Sequence, residues 1–400
     1  MKQCVITSAT RTAVGGYLGS LKTLKTREMG SVVITEALKR SGITPEQVNH
    51  VIMGEVLGVG NLARASALLA GIPEAVPAYT IDRQCGSSLQ AVVSATQEIQ
   101  TGAAEIVVAG GAESLSSAFY VLPPSARYEG FRIGNAKVWD IFDFSASNVQ
   151  PPELYPNLNM GLTAENIAER YNISREEQDA FAYDSQMKTK AAQESGKFAD
   201  EIVPLTVKVR KDSFVFDTDQ HPKPNTTLES LSKLQPAFKE HGTVTAGNSS
   251  GMNDGASAVV VMDTQKAAEL GCKPLVKIVS TAAVGVDPSI MGIGPVPAIK
   301  KVLQIAGLKL EDIDLFEINE AFAAQSLGVL KELGMAPGTD LYKRVNVNGG
   351  AVAHGHPLGN SGTRLTTTLI YEMKRRNSRY GIVSLCIGGG QGIAMLVENC

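Results

Sequence analysis

Residues 37–43, with the sequence ALKRSGI, have a counterpart in residues 302–308, VLQIAGL, at an offset of 302 − 37 = 265. The same offset aligns three further positions of similar chemistry: Val48 with Ile313, Val51 with Phe316 and Glu55 with Glu320. Further along the sequence, each half contains a reactive residue at the start of a predicted helix. After that helix, each half contains a predicted strand that is followed by paired glycines. This shared order predicts two similar halves packed together, with helix N-termini directed toward a shared site.

Strand-like and helix-like segments alternate on both sides of a long middle region. Cys4–Thr7 and Glu105–Gly110 are apolar runs typical of buried strands, and Glu28–Arg40 has the spacing of an amphipathic helix. From about Ser116 to Thr245 the alternation is lost, while prolines and aromatic residues accumulate. We therefore predict an α/β layered fold with a mostly parallel sheet and an inserted loop domain. The predicted boundaries are 1–115 plus 246–273 for the N-terminal half, 116–245 for the loop domain and 274–400 for the C-terminal half.

The composition excludes several classes of protein. The 400 residues carry 37 Lys+Arg and 40 Asp+Glu, so the formal net charge is 37 − 40 = −3, which argues against a nucleic-acid scaffold. No apolar run approaches the about 20 residues that a membrane helix needs, and no signal-peptide core opens the sequence. We expect a cytoplasmic protein with neither a nucleic-acid nor a membrane partner.

The cysteines are too scattered for a disulfide scaffold or a zinc knuckle; they are Cys4, Cys85, Cys272, Cys386 and Cys400. A cysteine in a cytosolic protein is usually a small buried hydrophobic residue, so a reactive one must be argued from its surroundings. Cys85 and Cys386 have such surroundings.

Cys85 lies in DRQCGSS, residues 82–88, between a strand-like run and a helix. Small residues on its C-terminal side allow a substrate to approach, and a helix N-terminus offers unpaired N–H groups and the positive end of the dipole. We therefore expect the pKa of this thiol to fall, as a nucleophilic thiolate requires. A structural cysteine in a tight turn is the alternative that the local context leaves open.

His356 stands between Gly355 and Pro357, which fix its backbone and leave its ring little steric cover. It therefore suits a general base better than a packing residue. His354 is two residues away, and the pair superficially suggests metal ligands. No carboxylate or third nitrogen lies near them in the sequence, so we expect no metal and give His354 a structural place.

Cys386 ends a strand-like run and is followed by IGGGQG, residues 387–392. Such a turn brings backbone N–H groups within reach of a ligand and suits an oxyanion hole, although an ordinary glycine-rich turn has the same composition. A dinucleotide-binding loop is excluded, because the acidic residue it needs downstream has no room before residue 400. Asn319 follows the strand-like Leu315–Ile318, where its amide either serves a site or caps a helix.

Taken in order, these segments resemble the thiolase family over essentially the whole chain. The matching motifs are Cys85–Ser87, Gly110–Ser114, Met160–Asn166, Thr245–Ala256, Met291–Pro297, Asn319–Ala323, Gly355–Pro357 and Cys386–Gly392. The resemblance implies a five-layered αβαβα fold of two similar halves with an inserted loop domain. It also implies an acyltransferase that makes or cleaves a 3-ketoacyl thioester of coenzyme A, with no cofactor, since the coenzyme A thioesters are the substrates.

The resemblance further implies a role for each motif. Cys85 matches the nucleophile that becomes acylated, His356 the base that activates it, and Cys386 the acid/base that moves the α-proton. Asn319, through a water, and His356 match one oxyanion hole, and the N–H groups of Cys85 and Gly388 match the other. Ser250 matches a contact to the pantetheine arm. The other matched substrate-binding positions are Met160, Met291, Ala321, Phe322 and Asn159.

Two hypotheses within the family remain. Thr163–Asn166 and Met291 resemble the short-chain branch, which favours an acetyl-CoA C-acetyltransferase acting on acetyl-CoA, acetoacetyl-CoA and coenzyme A. In that branch a His usually precedes Met160, whereas here Asn159 takes its place. A 3-ketoacyl-CoA thiolase with a preference for longer chains is the alternative, and we expect chain-length discrimination to soften.

Two hypotheses come from other classes of protein. A Cys-His hydrolase would use Cys85 and His356 alone, but it gives no reason for Cys386. Loss of any of these three residues would favour a non-catalytic lipid carrier or scaffold, and all three are present. Arg127–Asn135 looks like the loop region that precedes the catalytic cover in this family, and we expect a homotetramer, a dimer of dimers.

Overall fold

The computed structural model describes residues 2–135 and 137–400, with residues 145–147 described by their backbone only. Its strands are β1 (Cys4–Thr12), β2 (Gly15–Gly16), β3 (His50–Gly54), β4 (Ala78–Ile81), β5 (Ile106–Ser114), β6 (Tyr120–Val121), β7 (Trp139–Asp140), β8 (Ile202–Val203), β9 (Leu205–Val209), β10 (Asp212–Phe216), β11 (Asn253–Asp263), β12 (Val276–Gly285), β13 (Leu315–Ile318), β14 (Tyr380–Ile387) and β15 (Gln391–Asn399). Its helices are α1 (Thr26–Ser41), α2 (Leu62–Leu69), α3 (Ser87–Thr101), α4 (Ser125–Tyr128), α5 (Ile141–Asn148), α6 (Met160–Arg170), α7 (Arg175–Glu194), α8 (Leu228–Ser232), α9 (Thr264–Glu269), α10 (Pro295–Ala306), α11 (Ala323–Glu332), α12 (Ala351–His354) and α13 (Ser361–Arg376). None of the helices described here is long and apolar enough to cross a membrane.

The two halves build their sheets in the same way. The strand order is β1-β11-β5-β3-β4 in the N-terminal half and β12-β15-β14-β13 in the C-terminal half. In each half the first three strands pair antiparallel, and the next pairing, β5 with β3 or β14 with β13, is parallel. The predicted mostly parallel sheet was therefore wrong, because a buried apolar run shows that a strand is covered on both faces but not the direction of its neighbours. Phe316 of β13 makes a parallel bridge to Val345, in the place that β4 takes beside β3. The repeat is therefore confirmed, with β3 and β13 as its equivalent strands.

Helices cover both halves in three layers. α1 and α2 pack on the outer face of the N-terminal sheet, α10 and α11 on the outer face of the C-terminal sheet, and α3 and α13 lie between the two. Alternate side chains of β5 face different layers, Val108 toward α1 and Val107 toward α3. β1 and β12 join the sheets through an antiparallel pairing that includes Ile6 and Val276. The predicted five-layered αβαβα fold is confirmed.

The middle region forms its short strands and helices largely outside the central sheet, with one exception. β8 pairs parallel with Arg11 and Thr12 of β1 and so extends the sheet. The sequence did not predict this pairing, because a two-residue strand has no periodicity to read. Arg11 anchors the junction through ion pairs to Glu201 at 2.8 Å and Asp219 at 2.7 Å. The domain boundaries stay predictions.

Candidate active site

Cys85 lies on a sharp turn between β4 and α3. Gln84, directly before it, has a φ of 45°, in the left-handed region that residues other than glycine rarely adopt. Ser87 holds the turn, since its hydroxyl donates to the Gln84 carbonyl oxygen at 2.6 Å and accepts from the Arg83 N–H at 2.8 Å. The turn presents the thiol at the N-terminus of α3, and backbone strain of this kind is typical of functional sites.

The Cys85 turn meets the end of β14 from the other half. A Cβ at Gly86 would lie 2.6 Å from Ile387 Cδ1, so a larger residue there would displace the Ile387 side chain. The N–H groups of Gly388 and of Cys85 itself lie close enough to the Cys85 sulfur to act to lower its pKa. The two donors that the sequence assigned to an oxyanion hole therefore converge at the reactive atom.

Burial nevertheless raises the pKa of Cys85 to about 11, and the carboxylates of Glu113 and Asp82 add to the rise. The predicted fall in this pKa was wrong, because desolvation of the sulfur outweighs the two N–H donors. The thiol is protonated at neutral pH, so its attack on a thioester requires a base that accepts the proton.

His356 lies between α12 and α13, with its ring held from two sides. Its Nδ1 is 2.6 Å from the Ser361 hydroxyl oxygen, and that hydroxyl donates to the Pro357 carbonyl oxygen at 3.0 Å. Because the hydroxyl has a single proton, Nδ1 carries the ring hydrogen and donates it, which leaves the lone pair on Nε2. The amide nitrogen of Asn319 donates to Nε2 at 3.4 Å. The network therefore selects the tautomer in which Nε2 is basic.

The electrostatic surroundings keep this imidazole neutral. Burial lowers the pKa of His356 to about 3, and the positive charge of Arg364 adds to the effect. The His356 N–H donates to Asn253 Oδ1 at 3.0 Å, which fixes the backbone. A neutral and oriented imidazole is what a general base requires, so the geometry supports the role predicted for His356.

Cys386 lies near the end of β14, opposite Gly392 of β15, and is fully buried. Burial raises its pKa, and the charge of the Cys85 thiolate raises it further. The two sulfurs come from opposite halves and lie close enough for their charges to interact, so they titrate as a coupled pair.

Asn319 is buried at the end of β13, and it does not cap a helix, because the N-cap of α11 is Phe322. Its N–H donates to the Ser384 carbonyl oxygen at 2.9 Å. Its Oδ1 has no hydrogen-bond partner within the described part of the chain. Of the two alternatives left by the sequence, the structure therefore favours an amide that serves the site.

Three of the predicted substrate-binding residues, Ser250, Ala321 and Phe322, lie side by side. The Ser250 N–H donates to the Ala321 carbonyl oxygen at 3.0 Å, and Ser249 forms an antiparallel bridge with Phe322. The ring of Phe238 stands edge-on to that of Phe322, with centroids 6.0 Å apart. Ala321 and Phe322 belong to the same buried apolar cluster as Cys386, so this wall is continuous with the surroundings of that thiol.

Both predicted methionines reach the same region. A Cβ at Gly388 would lie 3.6 Å from the Met160 sulfur, which places Met160 directly over the glycine turn. Met291 is buried in the cluster that contains Cys386. Both side chains therefore lie in or against the apolar cluster that contains Cys386.

Asn159 takes a different position from the one that its predicted role suggests. It is exposed, and its Oδ1 accepts the Leu162 N–H at 3.0 Å as the N-cap of α6. The amide is therefore engaged at a helix terminus next to Met160, and a contact with substrate stays a prediction.

His354 has the structural place that the sequence predicted. Its Nδ1 lies 3.4 Å from Asp219 Oδ2, its Nε2 lies 3.1 Å from the Asn348 carbonyl oxygen, and its ring packs edge-on against Phe198. Across residues 2–135 and 137–400, no group of three or more His, Cys, Asp or Glu residues is arranged to hold a metal ion.

Sequence reasoning missed three residues that shape the site: Ser361, Phe238 and Val149. Ser361 is the first residue of α13, where a serine is usually interpreted as a helix-starting residue. Val149 lies 3.5 Å from the position of a Cβ at Gly388. No motif or period marked these residues, because their contacts join segments that meet only in the folded chain.

Comparison with known proteins agrees with this geometry. Residues 4–265 match the family described as thiolase, N-terminal domain, and residues 272–399 match thiolase, C-terminal domain. The acetyl-CoA acetyltransferase of Cupriavidus necator is 52% identical over 403 residues, and that of Escherichia coli is 49% identical over 402 residues. Each alignment covers 100% of both chains.

Solved structures give the same result. The crystal structure of the Bacillus anthracis acetyl-CoA acetyltransferase superposes with a TM-score of 0.95 at 46% identity, covering 100% of this chain and 99% of that one. Human mitochondrial 3-ketoacyl-CoA thiolase in complex with CoA superposes with a TM-score of 0.92 at 43% identity, covering 100% and 98%. Since the similarity runs through both halves and the region between them, this chain belongs to the thiolase family.

Proposed function

We propose that this protein is an acetyl-CoA acetyltransferase, which condenses two acetyl-CoA into acetoacetyl-CoA and coenzyme A or runs the reverse thiolysis. The observation that carries the proposal is the approach of the protonated Cys85 thiol to Gly388 and Cys386 of the other half. The neutral His356 ring, held by Ser361 and Asn319, supplies the base that this thiol needs. The full-length relatives of that name, at 52% and 49% identity, support the same substrate.

In the first half-reaction Cys85 becomes acetylated. His356 Nε2 accepts the thiol proton while the sulfur attacks the carbonyl carbon of acetyl-CoA, and the N–H groups of Cys85 and Gly388 stabilise the oxyanion. The bond between the acetyl group and coenzyme A then breaks, and the departing thiolate takes the proton of Cys386. The products are acetyl-Cys85, free coenzyme A, an imidazolium and a Cys386 thiolate.

In the second half-reaction the carbon–carbon bond forms. The Cys386 thiolate removes an α-proton from the second acetyl-CoA, and the His356 imidazolium stabilises the enolate oxygen together with a water held by Asn319. The enolate carbon attacks the acetyl carbonyl, the bond to Cys85 breaks, and the imidazolium returns its proton to the Cys85 sulfur. Both thiols and the imidazole regain their starting states, so the protons balance.

The remaining residues bind the substrate. Ser250 contacts the pantetheine arm, with Ala321 beside it, and Met160, Met291 and Phe322 line the acyl tunnel. Since protein groups carry every proton and charge in this scheme, we propose that it runs without a cofactor or a metal. A homotetramer and a cytoplasmic location stay predictions.

A 3-ketoacyl-CoA thiolase with a longer-chain preference is the second candidate, favoured by the TM-score of 0.92 with the human mitochondrial enzyme. Thiolysis by the purified protein across a series of 3-ketoacyl-CoA chain lengths separates the two candidates. We expect acetoacetyl-CoA to be a good substrate and slightly longer chains to be accepted. A maximum of kcat/KM at long chains would favour the second candidate.

The covalent intermediate tests the whole proposal. Incubation with acetyl-CoA should leave an acetyl group on Cys85, detected by peptide mass, and Cys85→Ala should abolish it. Labelling that persists in this variant would contradict the assignment of the nucleophile. Release of free acetate without transfer would favour a Cys-His hydrolase, and an unmodified wild type would favour a carrier or scaffold.

A further inference from the structure

Glu113, at the end of β5, joins both halves of the molecule. Its carboxylate is 1% exposed and accepts the Gly359 N–H of the C-terminal half at 2.8 Å. It also accepts the N–H groups of Val56 at 3.0 Å and Leu57 at 3.2 Å, from the loop that follows β3. A carboxylate accepts all three bonds, whereas a protonated acid or an amide turns one of its two terminal atoms into a donor.

The bond to Gly359 lies within the loop that holds the proposed base. Gly359 stands between His356 and Ser361, whose hydroxyl orients the imidazole. A Cβ at Gly359 would lie 2.7 Å from the Glu55 Cα and 2.9 Å from Glu113 Oε2, so the loop lies directly against the N-terminal half. Because Cys85 belongs to that half, this contact sets how the base stands relative to the thiol.

We propose that Glu113 is a positioning residue, whose carboxylate holds the loop 356–361 against the half that carries Cys85. The inference rests on the proposed function, since it assumes that Cys85 and His356 act on one substrate. Glu113 acts through the loop and takes no part in the chemistry.

Glu113 also changes its charge in a pH range in which the proposed catalytic groups keep theirs. Burial raises its pKa to about 7, against the lowering effect of the three N–H donors. Cys85, at about 11, keeps its proton through this range, and His356, at about 3, stays neutral. Protonation of Glu113 below pH 7 removes the negative charge that strengthens its bond to the Gly359 N–H, so the loop is held less firmly and acetyl transfer slows.

The other charged groups around Glu113 are on four segments. They are Glu55 beside it, Asp82 and Cys85 before α3, Asp254 of β11, and Lys22, Lys25 and Arg27 on the rim of a crevice of about 430 Å³.

Two other buried carboxyl groups also have a raised pKa. Burial raises the pKa of Glu55 to about 8, and Glu113 adds to that rise. Burial also raises the pKa of Glu317, on β13, to about 8. Glu55 and Glu317 are therefore the matched controls.

The test is the rate of acetyl transfer from acetyl-CoA to Cys85, followed by rapid quenching and peptide mass across about pH 5.5 to 9. We expect the wild-type rate to rise with a midpoint near pH 7. Glu113→Gln should lose that step and be slower by about 10²-fold at pH 8, with KM unchanged, because the reacting groups are misplaced. Glu55→Gln and Glu317→Gln should keep the step.

Three results would overturn the inference: a flat wild-type profile, a step that survives Glu113→Gln, or faster transfer in Glu113→Gln. The last would mean that the charge acts on the thiol and not on the loop. If Glu113→Gln does not fold, the two control variants decide the question. A rise in rate near pH 7 in wild type and in both Glu55→Gln and Glu317→Gln supports the proposal. Loss of that rise in either control variant contradicts the proposal. A wild type that is never acetylated contradicts the proposed function instead.

Discussion

The Nδ1 atom of His356 lies 2.6 Å from the hydroxyl oxygen of Ser361, and this contact decides which ring nitrogen acts as the base. The Ser361 hydroxyl donates its only proton to the Pro357 carbonyl oxygen, 3.0 Å away. The ring hydrogen therefore stays on Nδ1, and the lone pair of Nε2 faces Asn319. A serine at the start of α13 thus orients a base that precedes it by five residues.

Ser361→Ala should slow both half-reactions by about 10–100-fold, because a hydrogen bond to the developing imidazolium is worth about 1.5–3 kcal/mol. KM for acetyl-CoA should not change. The control is Ser280→Ala, which removes a buried hydroxyl bonded to the Val302 carbonyl oxygen at 2.9 Å on β12. Equal losses of kcat in the two variants would mean that Ser361 serves packing alone.

Cys386→Ser should still be acetylated at Cys85 but lose condensation by about 10²–10⁴-fold, the usual contribution of a general acid/base. Coenzyme A leaves readily as a thiolate, whereas removal of a proton from carbon requires a base. Peptide mass reports the first half-reaction, and formation of acetoacetyl-CoA reports the second. The same loss in both would contradict the separate roles of the two thiols.

Asn159→His should narrow the preference toward acetoacetyl-CoA, because a ring beside Met160 takes space from the acyl end. Space for one methylene in a hydrophobic pocket changes the discrimination between two substrates by about 1–3 kcal/mol. The measurement is the ratio of the kcat/KM value for acetoacetyl-CoA to that for a longer substrate. Asn159→Ala is the control, since it loses the same helix cap without adding a ring. If Asn159→His and Asn159→Ala have the same ratio of kcat/KM values, the side chain at position 159 does not reach the acyl chain.

Asp219→Asn should lower the free energy of unfolding by about 3–5 kcal/mol at pH 7, because it breaks a buried ion pair. The Asp219 carboxylate meets the Arg11 guanidinium at 2.7 and 3.0 Å, which holds the pKa of Asp219 well below its usual range. This stabilisation is complete above the unfolded-state pKa of about 3.9 and fades as the pH falls through the lower folded-state pKa. Urea unfolding at neutral and acid pH checks both points.

The control for that experiment is Asp217→Asn, at an exposed carboxylate two residues away. It should change the free energy of unfolding by less than about 0.5 kcal/mol. A difference between Asp219→Asn and wild type that grows as the pH falls would contradict the assigned direction of the pKa shift.

The loop that contains Phe131 and Ile133 should assemble subunits. Both side chains are exposed in this chain, as is that of Tyr128, and adjoining exposed apolar residues mark interaction surfaces. We expect light scattering to give a tetramer and Phe131→Ser with Ile133→Ser to give a dimer. A stable wild-type monomer at micromolar concentration would contradict assembly altogether.

The architecture follows from the sequence to a large extent. The predicted strand Leu315–Ile318 has the same bounds as β13, and the helix predicted after Cys85 begins at Ser87. These predictions hold because periodicity and caps are local properties, and because two segments of similar pattern pack in similar ways. The repeat at an offset of 265 residues therefore predicted two similar halves and the equivalence of β3 and β13, but not the antiparallel pairing of the long strands.

The sequence by itself determined the candidates for the chemistry, since Cys85, His356 and Cys386 each stand at a turn with a recognisable pattern. The tertiary structure decided their ionisation and their partners. The pKa of Cys85 rises rather than falls, the amide of Asn159 caps a helix, and Ser361 selects the tautomer of His356. Desolvation and hydrogen bonding depend on atoms that the two halves bring together, and no local pattern in the chain records which atoms those will be.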